Sequence, residues 1–263
     1  MHFNYTNKKL YLQLAMLVSI ICININSFIH IQNIYALMGA MLLLIVFAFS
    51  SWNLLQYALV LSVMGLGKLI PSPIWSIPAM FMLIPIVVST VLITLFINSA
   101  TAFAWCRPGK IDKLSRMLML LTSIIAACAL LMWGFWSDNL GAGMHVMRSL
   151  SSYPTWLNLA VLIPVFALLN AFGEEAVYRG VMQEALSNVF PKSIVIVIFF
   201  QASAFAALHV ASGFPNGKLG YLMTLSYGCI LGYLRFRTKG MLAPYLTHVA
   251  ADLVIGYFLY IMA

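Results

Sequence analysis

The sequence predicts an all-α fold, a polytopic membrane helix bundle of eight or nine transmembrane spans, on three observations. Of 263 residues, 63% are hydrophobic and only 8% are charged. An ordinary soluble domain carries roughly 25% charged residues, so these few could not cover a water-facing surface. The apolar runs are long and continuous rather than alternating, which selects helices over strands. A chain whose solvent is lipid must satisfy its backbone internally, which leaves helices or closed barrels.

Taken in order, the apolar runs fall at about 10–28, 34–50, 53–67, 76–98, 117–136, 156–187, 192–210, 219–236 and 242–262. The first follows Lys8 and Lys9 and has no small-x-small cleavage pattern near Ile23 to Phe28. It reads as an uncleaved span rather than a removed leader. The second and third are short for a bilayer crossing, which takes about 20 residues. They are expected either to form a tight hairpin around Ser50, Ser51 and Asn53 or to include one partly inserted segment. Pro71, Pro73 and Pro78 mark the entry to the fourth run. No repeat or low-complexity stretch divides the chain. Residues 1–150 are read as N-terminal spans of unassigned role, and 151–263 as the part that carries chemistry.

The formal net charge of +8 could suggest nucleic acid, but the basic residues lie in short stretches between apolar runs, without an aromatic-basic face. The excess reads as topology. With nine spans and the N-terminus inside, the cytoplasmic stretches hold Lys8, Lys9, Arg107, Lys110, Lys113, Arg116, Arg179, Lys192, Arg235, Arg237 and Lys239. The opposite side holds Lys68, Arg148 and Lys218. Eleven against three predicts a cytoplasmic N-terminus by the positive-inside bias, in a bacterial inner membrane. Cys22, Cys106, Cys128 and Cys229 lack a CxxC arrangement and are expected to be small buried hydrophobes.

Four acids lie within or beside apolar runs: Glu174, Glu175, Glu184 and Asp252. The other two, Asp112 and Asp138, fall in connecting stretches. An ionisable side chain inside a membrane is costly and marks a functional site by default. Glu175 and Arg179 are i,i+4 and read as an ion pair that lets both charges be buried. Glu174 has no charged partner in its own helix, since its i+4 neighbour is Tyr178. His209 ends an apolar helix, on one face with Gln201 and Phe205. A lone histidine there is more often a satisfied core residue than a catalyst. His248 and Asp252 are i,i+4 in the last run, where a local hydrogen bond is the plainer reading. Gly228 and Gly232, with Ala202, Ser203, Ala204, Ala206, Ala207 and Ala211, offer close helix packing. Counting residues from the turn at 188–191 puts Glu174 and His209 within a turn or two of the same level.

In order, Glu-Glu-x-x-x-Arg at 174–179, Phe-x-x-x-His at 205–209 and His-x-x-x-Asp at 248–252 resemble the CPBP (Abi) family of intramembrane proteases, which includes the type II CAAX prenyl endopeptidases. The stretch through Gly228, Gly232, Arg235 to Gly240 and Leu242-Ala243-Pro244 is similar too, so the resemblance covers about 156–260. It implies an intramembrane endopeptidase acting on a membrane-associated protein or peptide, with no nucleic-acid partner. It also implies that Glu174 and His209 activate the hydrolytic water and that His248 and Asp252 stabilise the oxyanion. Glu175 and Arg179 then support the site. A carboxylate moved out of water is a stronger base, and a positioned acid–base group is worth about 10²–10⁴-fold. One position departs: the family often has Asn where this chain has Asp252. An ionised Asp cannot donate to an oxyanion, so Asp252 is either protonated, or orients His248, or ligates a metal. No cofactor is the preferred reading. Zinc is the alternative, with Glu174, His209, His248 and Asp252 as its ligands by type, although no motif has metal-specific spacing such as HExxH. The competing functions are a transporter with a buried Glu-His-Asp proton relay, which predicts an inverted repeat that is not found, and a non-enzymatic membrane scaffold or immunity protein.

Overall fold

A computed structural model describes residues 5–29, 33–137, 140, 144, 148, 152–210 and 214–263. Asp138 and Ala211 lie outside them. Each of the nine apolar runs is a helix among the described residues. They are α1 (Tyr5–Ile29), α2 (Ile34–Phe49), α3 (Leu55–Gly67), α4 (Pro78–Phe96), α5 (Lys113–Trp136), α6 (Thr155–Val189), α7 (Ile194–His209), α8 (Gly217–Thr238) and α9 (Leu242–Met262). No strand occurs among the described residues.

Five of these, α1, α4, α5, α6 and α9, contain stretches long and apolar enough to cross a membrane. The outward side chains are those of a lipid-facing surface: Leu44, Leu95, Phe96, Trp136 and Val195 are all more than 70% exposed. That much uncovered apolar surface is untenable in water, and the chain is an integral membrane protein. The short α2 and α3 pack against each other as a hairpin, turned by Ser50 in the left-handed region at φ 48°. At 16 and 13 residues they rise about 24 and 20 Å, less than the hydrocarbon thickness.

Helix α6 organises the molecule. Its 35 residues rise about 52 Å. Two widened π-type turns interrupt it, at Asn158–Leu162 and Ala176–Met182. The first leads into Pro164, which has no N–H to give the preceding turn. The second begins directly after Glu174 and Glu175, and such bulges recur at functional sites. Helices α4 and α9 pack along α6, α7 packs on α8, and α5 packs on α9 and α8.

One end of the bundle is tied off by a strap. The stretch before α5 crosses the α8–α9 turn, with Lys110 N–H donating to the Thr238 carbonyl (2.9 Å), and the N–H groups of Met241 and Leu242 donating to the carbonyls of Arg107 and Pro108 (2.6 and 3.2 Å). Gly240 permits this approach, because a Cβ there would collide with the backbone of Pro108 and Gly109. Arg237 pairs with Asp112 at 2.6 Å. Arg235 donates to the carbonyls of Trp105 (3.2 Å) and Arg179 (3.3 Å) and faces Glu184 at 3.5 Å.

Two expectations are corrected. Arg179 is not in a cytoplasmic connection: it is fully buried within α6, because Glu175 neutralises it there. None of the four cysteines is a buried hydrophobe. Cys106 and Cys128 are exposed and Cys22 and Cys229 half-buried, since in lipid a small apolar side chain has no need to be hidden.

Candidate functional site

Helix geometry brings the three sequence clusters together. Glu174 precedes the end of α6 at Val189 by as many residues as separate His209 from the start of α7 at Ile194, about 22 Å of helix in each case. The two helices are joined by a short turn, so both residues reach one level. On α9, His248 and Asp252 lie about 9 and 15 Å from Leu242.

His248 is the hub. Its Nδ1 lies 2.8 Å from Glu175 Oε1. Its Nε2 lies 3.5 Å from Glu174 Oε2 and 3.6 Å from Asp252 Oδ1. An ionised carboxylate only accepts, so Nδ1 carries a proton and donates to Glu175. The neighbouring glutamates, about 100° apart on their helix, thus meet the two ring nitrogens of one imidazole. Glu175 also pairs with Arg179 Nη1 at 2.9 Å. Glu175 is therefore in contact with His248 as well as Arg179, and is closer to the imidazole than Glu174 is.

Asn170 was not singled out by the sequence, yet it joins the centre. Its Nδ2 donates to Glu174 Oε1 (3.3 Å) and Asp252 Oδ2 (3.1 Å). Glu174 thus has a partner in its own helix, one turn before it rather than one turn after. An asparagine four residues ahead of a membrane glutamate is the signal that could have found it, since it falls on the same face. Its own Oδ1 is buried and has no hydrogen-bond partner among the described residues.

His209 is placed differently. Its Nδ1 lies 3.2 Å from the Phe205 carbonyl, which can only accept. That bond puts the proton on Nδ1 and leaves Nε2 with a lone pair in the neutral ring. Phe205 separates the two imidazoles, edge-on to His209 at 5.0 Å and to His248 at 5.7 Å. The Arg179 guanidinium lies over the Phe205 ring at 4.2 Å. Arg179 also donates to the Gly228 carbonyl (3.4 Å), which accepts from Gln201 as well (3.0 Å). Gly228 allows that approach, because its Cβ would stand 3.1 Å from the Ala202 Cβ.

A cavity of about 680 Å³ opens onto this centre. Asn170, Glu174, His209, His248 and Asp252 line it, whereas Glu175 and Arg179 stand behind them. The remaining wall is mostly apolar, with Phe166, Leu130, Met223, Ile255 and Leu259. Glu174, His209, His248 and Asp252 are the residues that would hold a zinc ion. His248 would ligate one through Nε2 while its Nδ1–H keeps the Glu175 contact. Among the described residues, no three His, Cys, Asp or Glu side chains form a metal-binding group. Chemically, the arrangement holds several acceptors and an amide donor in a desolvated chamber, as water activation requires.

Residues 156–254 match the family described as type II CAAX prenyl endopeptidase, Rce1-like. The matched segment contains all three clusters and the whole polar centre, and it agrees with the resemblance read from the motifs. No curated protein and no solved structure matches the chain.

Proposed function

We propose, from the Rce1-like match of residues 156–254, that this chain is an intramembrane endopeptidase that hydrolyses a membrane-associated protein or peptide. The observation that carries this reading is the meeting of Glu174, His209, His248 and Asp252 in the wall of one apolar cavity.

A water held between the Glu174 carboxylate and His209 Nε2 loses a proton to Glu174 as its oxygen attacks the scissile carbonyl. The negative charge that develops on the carbonyl oxygen is met by the Nε2–H of His248 as an imidazolium, whose other N–H is held by Glu175. Breakdown of the tetrahedral intermediate returns the proton from Glu174 to the leaving amine. Glu175 and Arg179 hold His248 and Phe205 in place from behind. Asn170 spans Glu174 and Asp252 and sets their separation. Asp252, turned toward Asn170 and His248, orients the imidazole. Preorganised groups of this kind act strongly where water is excluded. The hydrolysis is metal-free in this reading, with Glu174 as the base and no motif of metal-specific spacing in the chain. The protein sits in a bacterial inner membrane with its strap end toward the cytoplasm, as its basic residues favour.

The test compares membrane proteomes of cells carrying the native chain, Glu174→Gln or no copy. A membrane protein that is processed only with the native chain supports the reading. Identical processing in all three sinks it. Elemental analysis is the separate test of the metal-free mechanism: about one zinc per chain, lost together with cleavage on chelation, would overturn it.

A further inference from the structure

A hydroxyl on an apolar helix is most simply hidden by turning it back onto the helix's own backbone. Ser62, Ser89, Ser203, Ser226, Thr238 and Thr247 all do this, each donating to the carbonyl three or four residues earlier at 2.7–3.1 Å. Thr122 on α5 and Thr224 on α8 do not. They are 6% and 5% exposed, both line the cavity, and neither hydroxyl has a hydrogen-bond partner among the described residues. The polar centre stands on α6, α7 and α9, so these two hydroxyls belong to a part of the wall without catalytic groups. Their polar neighbours on α8 are already engaged. Ser226 donates to Leu222, and the Tyr227 hydroxyl donates to the Thr247 carbonyl at 2.9 Å. A buried hydroxyl left unmatched weakens a fold, and such groups call for a functional explanation.

We propose that Thr122 and Thr224 are substrate-binding residues, whose hydroxyls hold the backbone of a non-helical peptide segment inside the cavity. The proposal rests on the protease reading and deepens it by naming the conformation that the site takes. The occupant follows from the chemistry of the two groups. A hydroxyl donates one hydrogen bond and accepts others, and a peptide unit offers one carbonyl and one N–H. In a helix those groups are spent on each other, except at its ends. An unwound segment has them free, whereas an acyl or isoprenoid chain has nothing to offer either threonine. The apolar remainder of the wall takes the side chains. Because hydroxyls read backbone, this wall selects an unwound segment rather than a particular side chain.

Two measurements test this. The first is thermal unfolding in detergent, without substrate. Thr122→Val and Thr224→Val exchange the hydroxyl for a methyl of the same shape and break no bond within the protein. Their midpoints should equal or exceed that of the native chain. Thr238→Val loses bonds to the Leu234 and Gly240 carbonyls and should melt lower. A cavity variant that melts as low as Thr238→Val would overturn the proposal, since its hydroxyl then has a structural partner. The second is capture. The probe is the uncut precursor of the membrane protein that the native chain processes, recovered from solubilised membranes with the Glu174→Gln protein. Adding Thr122→Val or Thr224→Val should lower the recovered precursor about fivefold or more, and each change alone should slow processing by the otherwise native chain. Thr122→Ser and Thr224→Ser keep the hydroxyl and should retain more of both. Undiminished capture and processing in the Val variants would sink the binding role and leave the protease reading standing. A native chain that processes nothing would sink both.

Discussion

Two adjacent glutamates with different surroundings set the residue-scale expectations. Glu174 lines the cavity, while Glu175 is held between Arg179 and His248. Glu174→Gln keeps size and hydrogen bonding, so cleavage should fall at least a hundredfold with thermal stability near native. Glu175→Gln leaves Arg179 under-neutralised in a dry site and should cost about 3–5 kcal/mol, read as a lower melting temperature and yield. A well-folded but inactive Glu175→Gln beside an active Glu174→Gln would reverse the assignment. Asn170→Leu removes the donor shared by Glu174 and Asp252. Activity should drop, and Asn170→Gln should not rescue it if the spacing of the two carboxylates is what matters. Asp252→Asn exchanges an acceptor for an amide that can still face His248, and substantial activity should remain. Loss of activity on that change would show that the charge of Asp252 is required.

At the scale of elements, the strap and the α8–α9 turn offer predictions that leave the catalytic groups untouched. Gly240→Ala places a methyl against the backbone of Pro108 and Gly109. Overpacking of this kind costs about 1–3 kcal/mol, measurable by thermal unfolding in detergent. Asp112 caps α5, accepting from Ser115 N–H at 2.7 Å. Hydrogen bonding from Ser115, then the Arg237 charge, lowers its carboxyl from the ordinary 3.8 to about 2. A carboxyl depressed by folding stabilises the fold above its unfolded value and loses that contribution as pH falls through the folded one. Amide exchange at Ser115 should therefore accelerate as pH drops from about 4 to 2, relative to the intrinsic rate. Asp112→Asn should abolish that change. The helices themselves were readable, because a run of apolar residues in lipid has no other regular solution. The widened turn after Glu175 was not, since no residue type encodes it.

For the whole molecule, orientation is the expectation to test. Cys106 is exposed on the strap. In a variant that keeps Cys106 alone, an impermeant thiol reagent should fail to label intact cells and should label inverted vesicles. Labelling from outside would reverse the topology. The sequence by itself determined that the chain lives in a membrane as a helical protein, because so few charges cannot clothe a soluble surface. It also singled out the ionisable residues, because in an apolar run each one is costly and conspicuous. Only the tertiary structure decided which of them meet. The i,i+4 rule sees one helix at a time, so it paired Glu175 with Arg179 but missed His248, which reaches Glu175 from 73 residues away. Asn170 was within that rule's reach as the i−4 neighbour of Glu174, but its second contact, to Asp252 on another helix, shows only when the two helices are seen side by side.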